Sequence, residues 1–202
     1  MAEQIEIIVP TNWQDVTLKS YQKYVSKIGD LKKDDEIIIH SISSLCNIPL
    51  KVVKLLKVND IKTIYKNLSK LISLPINKQV INKIELNGVR YGFHPSLDEL
   101  TMGEFVDLDE YSKEGVDGLH YILSILYRPI IEEEGSLYKI EPYTDHHINN
   151  AKHFENLSID TINGVMVFFY NLGSKCLMSS QNFLQRLVEN QAQEVSTDGL
   201  VS

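Results

Sequence analysis

Asn87-Gly88 separates two apolar runs, Val80–Leu86 and Val89–Phe93, and constrains the fold more than any other feature of the chain. A two-residue turn needs positive φ at both central positions, which Asn-Gly supplies, so the segment is predicted to form a β-hairpin. Ile84 and Leu86 alternate on one arm, Tyr91 and Phe93 on the other. An isolated hairpin is marginal in water, so this one must pack against the rest of the chain. The next signal, Thr101-Met102-Gly103-Glu104, has the spacing of a capping box and opens a helix. Phe105, Leu108 and Tyr111 are its expected core side, with acids between them. Gly115 and Gly118 loosen the next connection. Leu119, Ile122, Leu123, Ile125 and Leu126 then build a strongly apolar helix. That helix must stop before Pro129, because the residue preceding a proline avoids the helical region.

The remaining signals are mostly helical. Ile5, Ile7 and Val9 flank Glu6 and Ile8 before Pro10, which predicts a short N-terminal strand placed to join the hairpin in a small sheet. Thr17 is the expected cap of a helix with Leu18, Tyr21, Tyr24, Val25 and Ile28 on one face, ended by Gly29-Asp30. Asp34-Asp35-Glu36 favours the start of the next helix, whose buried side is Ile38, Ile39, Ile42 and Leu45. Asn47-Ile48-Pro49 breaks it, and Pro49 suits the first turn of another short helix. Asn59 is the expected cap of a helix presenting Ile61, Ile64, Tyr65, Leu68, Leu71 and Ile72, with Pro75 marking its end. Residues 130–145, with Glu132-Glu133-Glu134, Gly135 and Pro142, read as an exposed loop. A short helix is expected over Asp145–Phe154. Ser158 begins a longer one with an all-round apolar interior at Val165–Tyr170 and Gly173 as its C-cap. A last helix shows Leu177, Phe183, Leu184, Leu187 and Val188 on one side. The predicted class is mainly α (α+β in detail): one compact helical domain over residues 1–190, a small antiparallel hairpin or sheet near 80–93, and a flexible C-terminal tail at 191–202.

Composition narrows the functional classes. A chain of 202 residues with 43% hydrophobic side chains can bury a core without staples. Its net charge of −7 repels phosphate backbones, so no nucleic-acid partner is expected. Lys51, Lys54, Lys57, Lys62 and Lys66 make a mildly basic stretch, but only Tyr65 interleaves an aromatic ring. Cys46 and Cys176 sit among apolar residues and read as buried free thiols of a cytosolic protein. No basic segment leads into an apolar run at the N-terminus, and the longest apolar run is too short to span a bilayer, so no membrane partner is expected.

Chemistry-bearing clusters are few. Asp145, His146, His147 and His153 crowd one segment, yet a zinc pair wants helical spacing of three or four, and seven separates His146 from His153. Solvated polar residues at a helix start account for them. Glu104, Asp107, Asp109 and Glu110 alternate with Phe105 and Leu108 as a solvated helix face would. Acid–base work would instead require a cleft that splits their pKa values. Arg128 is placed to interact with the end of the apolar helix. Glu132–Glu134 is a charge run able to meet a basic partner surface. Phosphate-loop, dinucleotide-binding and Ser or Cys nucleophile motifs are lacking. No catalytic residue, cofactor or metal ligand is assigned.

Three segments carry a resemblance. Ile8-Val9-Pro10-Thr11-Asn12-Trp13-Gln14-Asp15-Val16-Thr17-Leu18, Thr101-Met102-Gly103-Glu104-Phe105-Val106-Asp107-Leu108, and Leu123–Ile130 (LSILYRPI) resemble segments of proteins from tailed-bacteriophage structural gene clusters. Tyr143, Ala151, Phe154 and Val167-Phe168-Phe169 fit the same layout. The resemblance is to tail assembly chaperones and related virion morphogenesis factors of large phages. It implies a non-enzymatic protein of the host-cell cytoplasm or the virion, binding other phage tail or virion proteins and capable of homo-oligomerisation. Phe183, Leu184, Leu187 and Val188 are the candidate partner contact, with an ordinary core helix as the competing reading. A structural subunit of the neck, tail or baseplate is the first alternative, and a small metal-dependent hydrolase using the histidine segment the second.

Overall fold

The structure, a computed structural model, describes residues 6–75, 77–96 and 99–169. A 3₁₀ turn at Trp13–Asp15 comes first, followed by four helices: α1 (Leu18–Ile28), α2 (Asp34–Leu45), α3 (Leu50–Val53) and α4 (Val58–Ile72). A hairpin of β1 (Lys83–Leu86) and β2 (Val89–Phe93) follows, then α5 (Met102–Ser112) and α6 (Leu119–Leu126). The described residues continue with β3 (Tyr127–Glu134), β4 (Leu137–Ile140), α7 (Asp145–Asn149), a 3₁₀ turn at Ala151–Asn156, and α8, described over residues 159–169. The fold is α+β, helical in the main with one four-stranded antiparallel sheet in the order β1-β2-β3-β4.

Local signals set most of the boundaries. The Thr17 side chain accepts from the Ser20 N–H and caps α1. Thr101 and Glu104 form the full reciprocal capping box of α5. Asn87 and Gly88 take φ of 54° and 77°, as the hairpin turn demands. Pro49 precedes α3 and Thr161 N–H donates to the Ser158 hydroxyl at the head of α8. α4 starts slightly earlier than its sequence cap: Lys57 is the boundary residue, and Asn59 lies within the first turn.

Two corrections concern the sheet. Residues 6–9 form no strand, although Ile7 and Val9 pack on the core while Ile8 faces out. Alternation reports one buried side, and an extended segment without ladder partners satisfies it equally well. Two further strands come instead from residues 127–140, so that most of the expected loop at 130–145 lies in β3 and β4. Tyr91 pairs with Pro129 and Phe93 with Tyr127, joining the hairpin to β3. Pro129 has no N–H, but its carbonyl accepts from Glu141 N at 2.9 Å. Two of the three glutamates that suggested a loop, Glu132 and Glu133, are halves of cross-strand ion pairs. Glu133 meets Lys83 of β1 at 2.8 Å and Arg90 of β2 at 2.5 Å, and Glu132 meets Lys139 of β4 at 2.5 Å.

The core lies between the sheet and the helices. Ile122, Leu123, Ile125 and Leu126 of α6 are wholly buried, with Leu18, Ile42, Leu68, Leu71, Ile159 and Ile162 around them. Tyr127 is buried as well, and its hydroxyl donates to Ile81 O at 2.6 Å. A two-residue bridge, Leu18 N to Leu157 O and Ile159 N to Val16 O, both 2.8 Å, ties the start of α1 to the start of α8. Cys46 is a half-buried free thiol whose pKa burial pushes up to about 11. Cys176, Gly173 and the predicted helix bearing Phe183 lie outside the described residues.

Candidate functional site

Helix α5 has two unlike faces, and the contrast defines the candidate site. Its inner face carries Glu104 and Leu108, both buried. Glu104 receives hydrogen bonds from the Thr101 N–H at 2.6 Å and the Thr101 hydroxyl at 2.7 Å. Its other oxygen lies 2.7 Å from Arg128 Nη2 of β3 and 3.6 Å from His94 Nε2. Arg128 also lies over the Tyr143 ring, and the Tyr143 hydroxyl donates to Asp107 on the next turn of α5. Two readings from sequence are thereby corrected. Glu104 and Asp107 do not belong to a freely solvated acidic face, and Arg128 serves a buried carboxylate across elements instead of the end of α6. Helix periodicity alone cannot see this, because Glu104 occupies a core position of the stripe it shares with Leu108 and Tyr111.

The electrostatics of this centre follow from its burial. Burial, the largest influence on Glu104, raises its pKa, but the Thr101 hydrogen bonds and the Arg128 and His94 charges outweigh it and hold the carboxyl below its usual value. His94 is pushed down by burial, with the Arg128 charge acting the same way against the pull of Glu104. His120, buried near Gln22, is likewise lowered by burial. A histidine whose folded pKa lies below its unfolded one contributes stability above the unfolded value, about 6.5, and loses it as pH falls below that. The depressed Glu104 behaves the same way one stage lower. Its contribution is present above the unfolded carboxylate value, about 4.3, and is lost as pH falls through the folded one. Urea midpoints measured from pH 7.5 downward are therefore expected to fall in two stages, the first starting near pH 6.5 and diminished in His94→Gln. A midpoint constant between pH 7.5 and 5.5 contradicts this account.

The outer face of α5 is apolar where it faces solvent. Met102 is 75% exposed, and Phe105 and Val106 are each 49% exposed. Spacings of three and four put them side by side on one face of the helix. Phe105 therefore points away from the core side that the sequence suggested. Its exposure follows from Glu104, which takes the inward position and turns its neighbour out. Asp109, paired with Lys113 at 2.7 Å, and Glu110 continue this outer surface.

The histidine segment is arranged differently from its sequence expectation. The helix predicted over Asp145–Phe154 breaks at Asn150 into α7 and a 3₁₀ turn. His146, His147 and His153 nevertheless all line one cleft of about 430 Å³ beside the hairpin, with Tyr91, Glu141 and Phe154. The Nδ1 of His147 caps its own helix at Thr144, its Nε2 lies 3.6 Å from Glu141, and His153 Nδ1 is 3.0 Å from the Asn87 amide. Among the described residues no group of three or more His, Cys, Asp and Glu side chains is placed to hold a metal ion. Nor is any described helix long and apolar enough to cross a membrane. Glu132 and Glu133 are engaged in the ion pairs of the sheet. The predicted contact residues Phe183, Leu184, Leu187 and Val188 lie outside the described residues. Compared with protein-family models, curated proteins and solved structures, the chain matches none.

Proposed function

We propose that this protein is a non-enzymatic tail morphogenesis factor of a tailed bacteriophage, acting in the manner of an assembly chaperone and binding other tail components through the outer face of α5. One observation carries the reading: Met102, Phe105 and Val106 stand exposed together on a helix that the buried Glu104–Arg128 pair holds from behind. Contiguous exposed apolar side chains on a rigid element are what a helix-docking partner recognises. The resemblance of residues 8–18, 101–108 and 123–130 to phage morphogenesis proteins supplies the setting. The factor works on this reading in the host-cell cytoplasm before particles are complete.

The test is affinity capture of the tagged full chain from infected cells, alongside the protein content of purified particles. The reading expects tail components in the capture and this chain absent from finished particles. Phe105→Asp is expected to reduce the captured tail components at least about tenfold, as loss of an aromatic anchor does, with thermal unfolding nearly unchanged. Capture that ignores this substitution sinks the assignment to α5. Stoichiometric presence in purified particles would instead support a structural subunit of the neck, tail or baseplate.

A further inference from the structure

The charge on this chain is sharply segregated. Residues 51–78 hold seven lysines, no arginine and a single acid, Asp60, a local excess of six positive charges in a chain whose balance is −7. The rest of the molecule therefore carries an excess of thirteen negative charges. Lys62, Lys66 and Lys70 follow each other at four-residue spacing on α4, on the side opposite buried Ile64, Leu68 and Leu71. None of the lysines in 51–78 forms an ion pair among the described residues; of the described lysines and arginines elsewhere, Lys23, Lys27, Lys32 and Lys152 also form none, while Lys19, Lys33, Lys83, Arg90, Lys113, Arg128 and Lys139 do. Beside this basic stretch, at the start of α4, stand two exposed aliphatic residues, Leu55 at 81% and Val58 at 67% exposure. The outer face of α5 has the opposite composition. Met102, Phe105 and Val106 are followed by exposed Glu110, Glu114 and Asp117, with Lys113 already paired to Asp109.

We infer that the basic, aliphatic surface at the start of α4 in one copy docks on the acidic, apolar face of α5 in the next, so that the protein associates head to tail. The inference goes beyond the proposed function by naming a second copy of this chain as an occupant of the α5 face, and it does not depend on the phage setting. Each surface offers what the other lacks: aliphatic side chains to cover exposed apolar area, flanked by charges of opposite sign. Like charges oppose face-to-face pairing of either surface with itself, so a two-fold dimer through α4 alone or α5 alone is disfavoured. Two different patches on one molecule make a heterologous contact, which closes into a ring or extends as a filament. Charge pairs at such a rim speed encounter and set register, and they weaken as salt screens them.

Sedimentation velocity of the full chain tests this directly. Wild-type protein is expected to associate at low ionic strength and to dissociate progressively toward 0.5 M salt. Phe105→Asp and Lys62→Glu/Lys66→Glu are each expected to weaken self-association at least about tenfold. The decisive measurement mixes the two variants, each of which keeps one intact surface. A head-to-tail contact then yields a one-to-one complex that grows no further. Wild-type protein monomeric at low salt overturns the inference, as does a mixture that stays monomeric while circular dichroism shows both variants folded. So does wild-type association that ignores salt. A further arm titrates a fluorescent DNA oligonucleotide into the protein. Binding that is lost in Lys62→Glu/Lys66→Glu, by a chain that stays monomeric, reassigns the basic surface to nucleic acid and overturns self-docking. Failure of self-association leaves tail-component capture intact, so the two readings fail separately.

Discussion

Glu104→Gln is expected to destabilise the fold by roughly 3–5 kcal/mol, because it leaves the Arg128 guanidinium buried without a counter-charge. Glutamine keeps the reciprocal cap with Thr101, so the loss reports the charge and not the helix start. Arg128→Met should cost a similar amount by stranding the carboxylate, whose Thr101 hydrogen bonds favour the ionised form. Against a total stability of about 5–15 kcal/mol, either change is a large fraction of the whole. The double variant Glu104→Gln/Arg128→Met removes both charges and is expected to be more stable than either single one. Urea unfolding of the four proteins gives the coupling energy directly. A loss below about 1 kcal/mol in Glu104→Gln would show that the pair is hydrated and does not pin α5. The result bears on function, since the same pair holds the helix whose outer face carries Met102, Phe105 and Val106.

Gly164→Ala is the second substitution with a large expected effect. A Cβ built at Gly164 of α8 would lie 1.9 Å from Gln79 O, 2.2 Å from Gln79 C and 2.6 Å from Val80 N. The obstructing atoms are backbone leading into β1, so relief requires that segment to move away from the helix. Overpacking of this kind costs typically about 1–3 kcal/mol and more where backbone must shift. Alanine recovers about 1 kcal/mol of helix propensity over glycine. The expected outcome is a net destabilisation of roughly 2 kcal/mol by urea unfolding. Gly103→Ala is the matched control. It lies in the first turn of α5, and the nearest atoms to its added methyl group are those of the Tyr143 ring at 3.9 Å. That change should be neutral or slightly stabilising. Equal effects of the two substitutions would remove close packing as the reason for glycine at 164.

Features that depend on a few neighbouring residues were legible in the sequence. The Asn87-Gly88 turn, the Thr17 and Thr101 caps, the Ser158 helix start and the stop of α6 before Pro129 are local backbone and hydrogen-bond requirements, and the structure has each of them. The histidine segment was legible in part. Its crowding was plain, but the break at Asn150 and the meeting of His146, His147 and His153 in one cleft depend on how α7 packs beside the hairpin.

What the amino-acid sequence by itself determined is the inventory: helices of a given length, a hairpin, an apolar central helix and a segregated charge balance. Tertiary structure alone decided which residues of that inventory meet. It turned Glu132-Glu133-Glu134 from a loop into a strand, because the backbone there pairs with Leu137–Lys139 of β4 while Glu132 and Glu133 meet Lys139, Lys83 and Arg90 across the sheet. It also drew Glu104 inward to Arg128, 24 positions further along the chain, and so exposed Phe105. The physical reason is range. Caps and turns are satisfied within four residues, whereas a buried charge or a charged strand is stable only beside a partner that the fold brings from elsewhere.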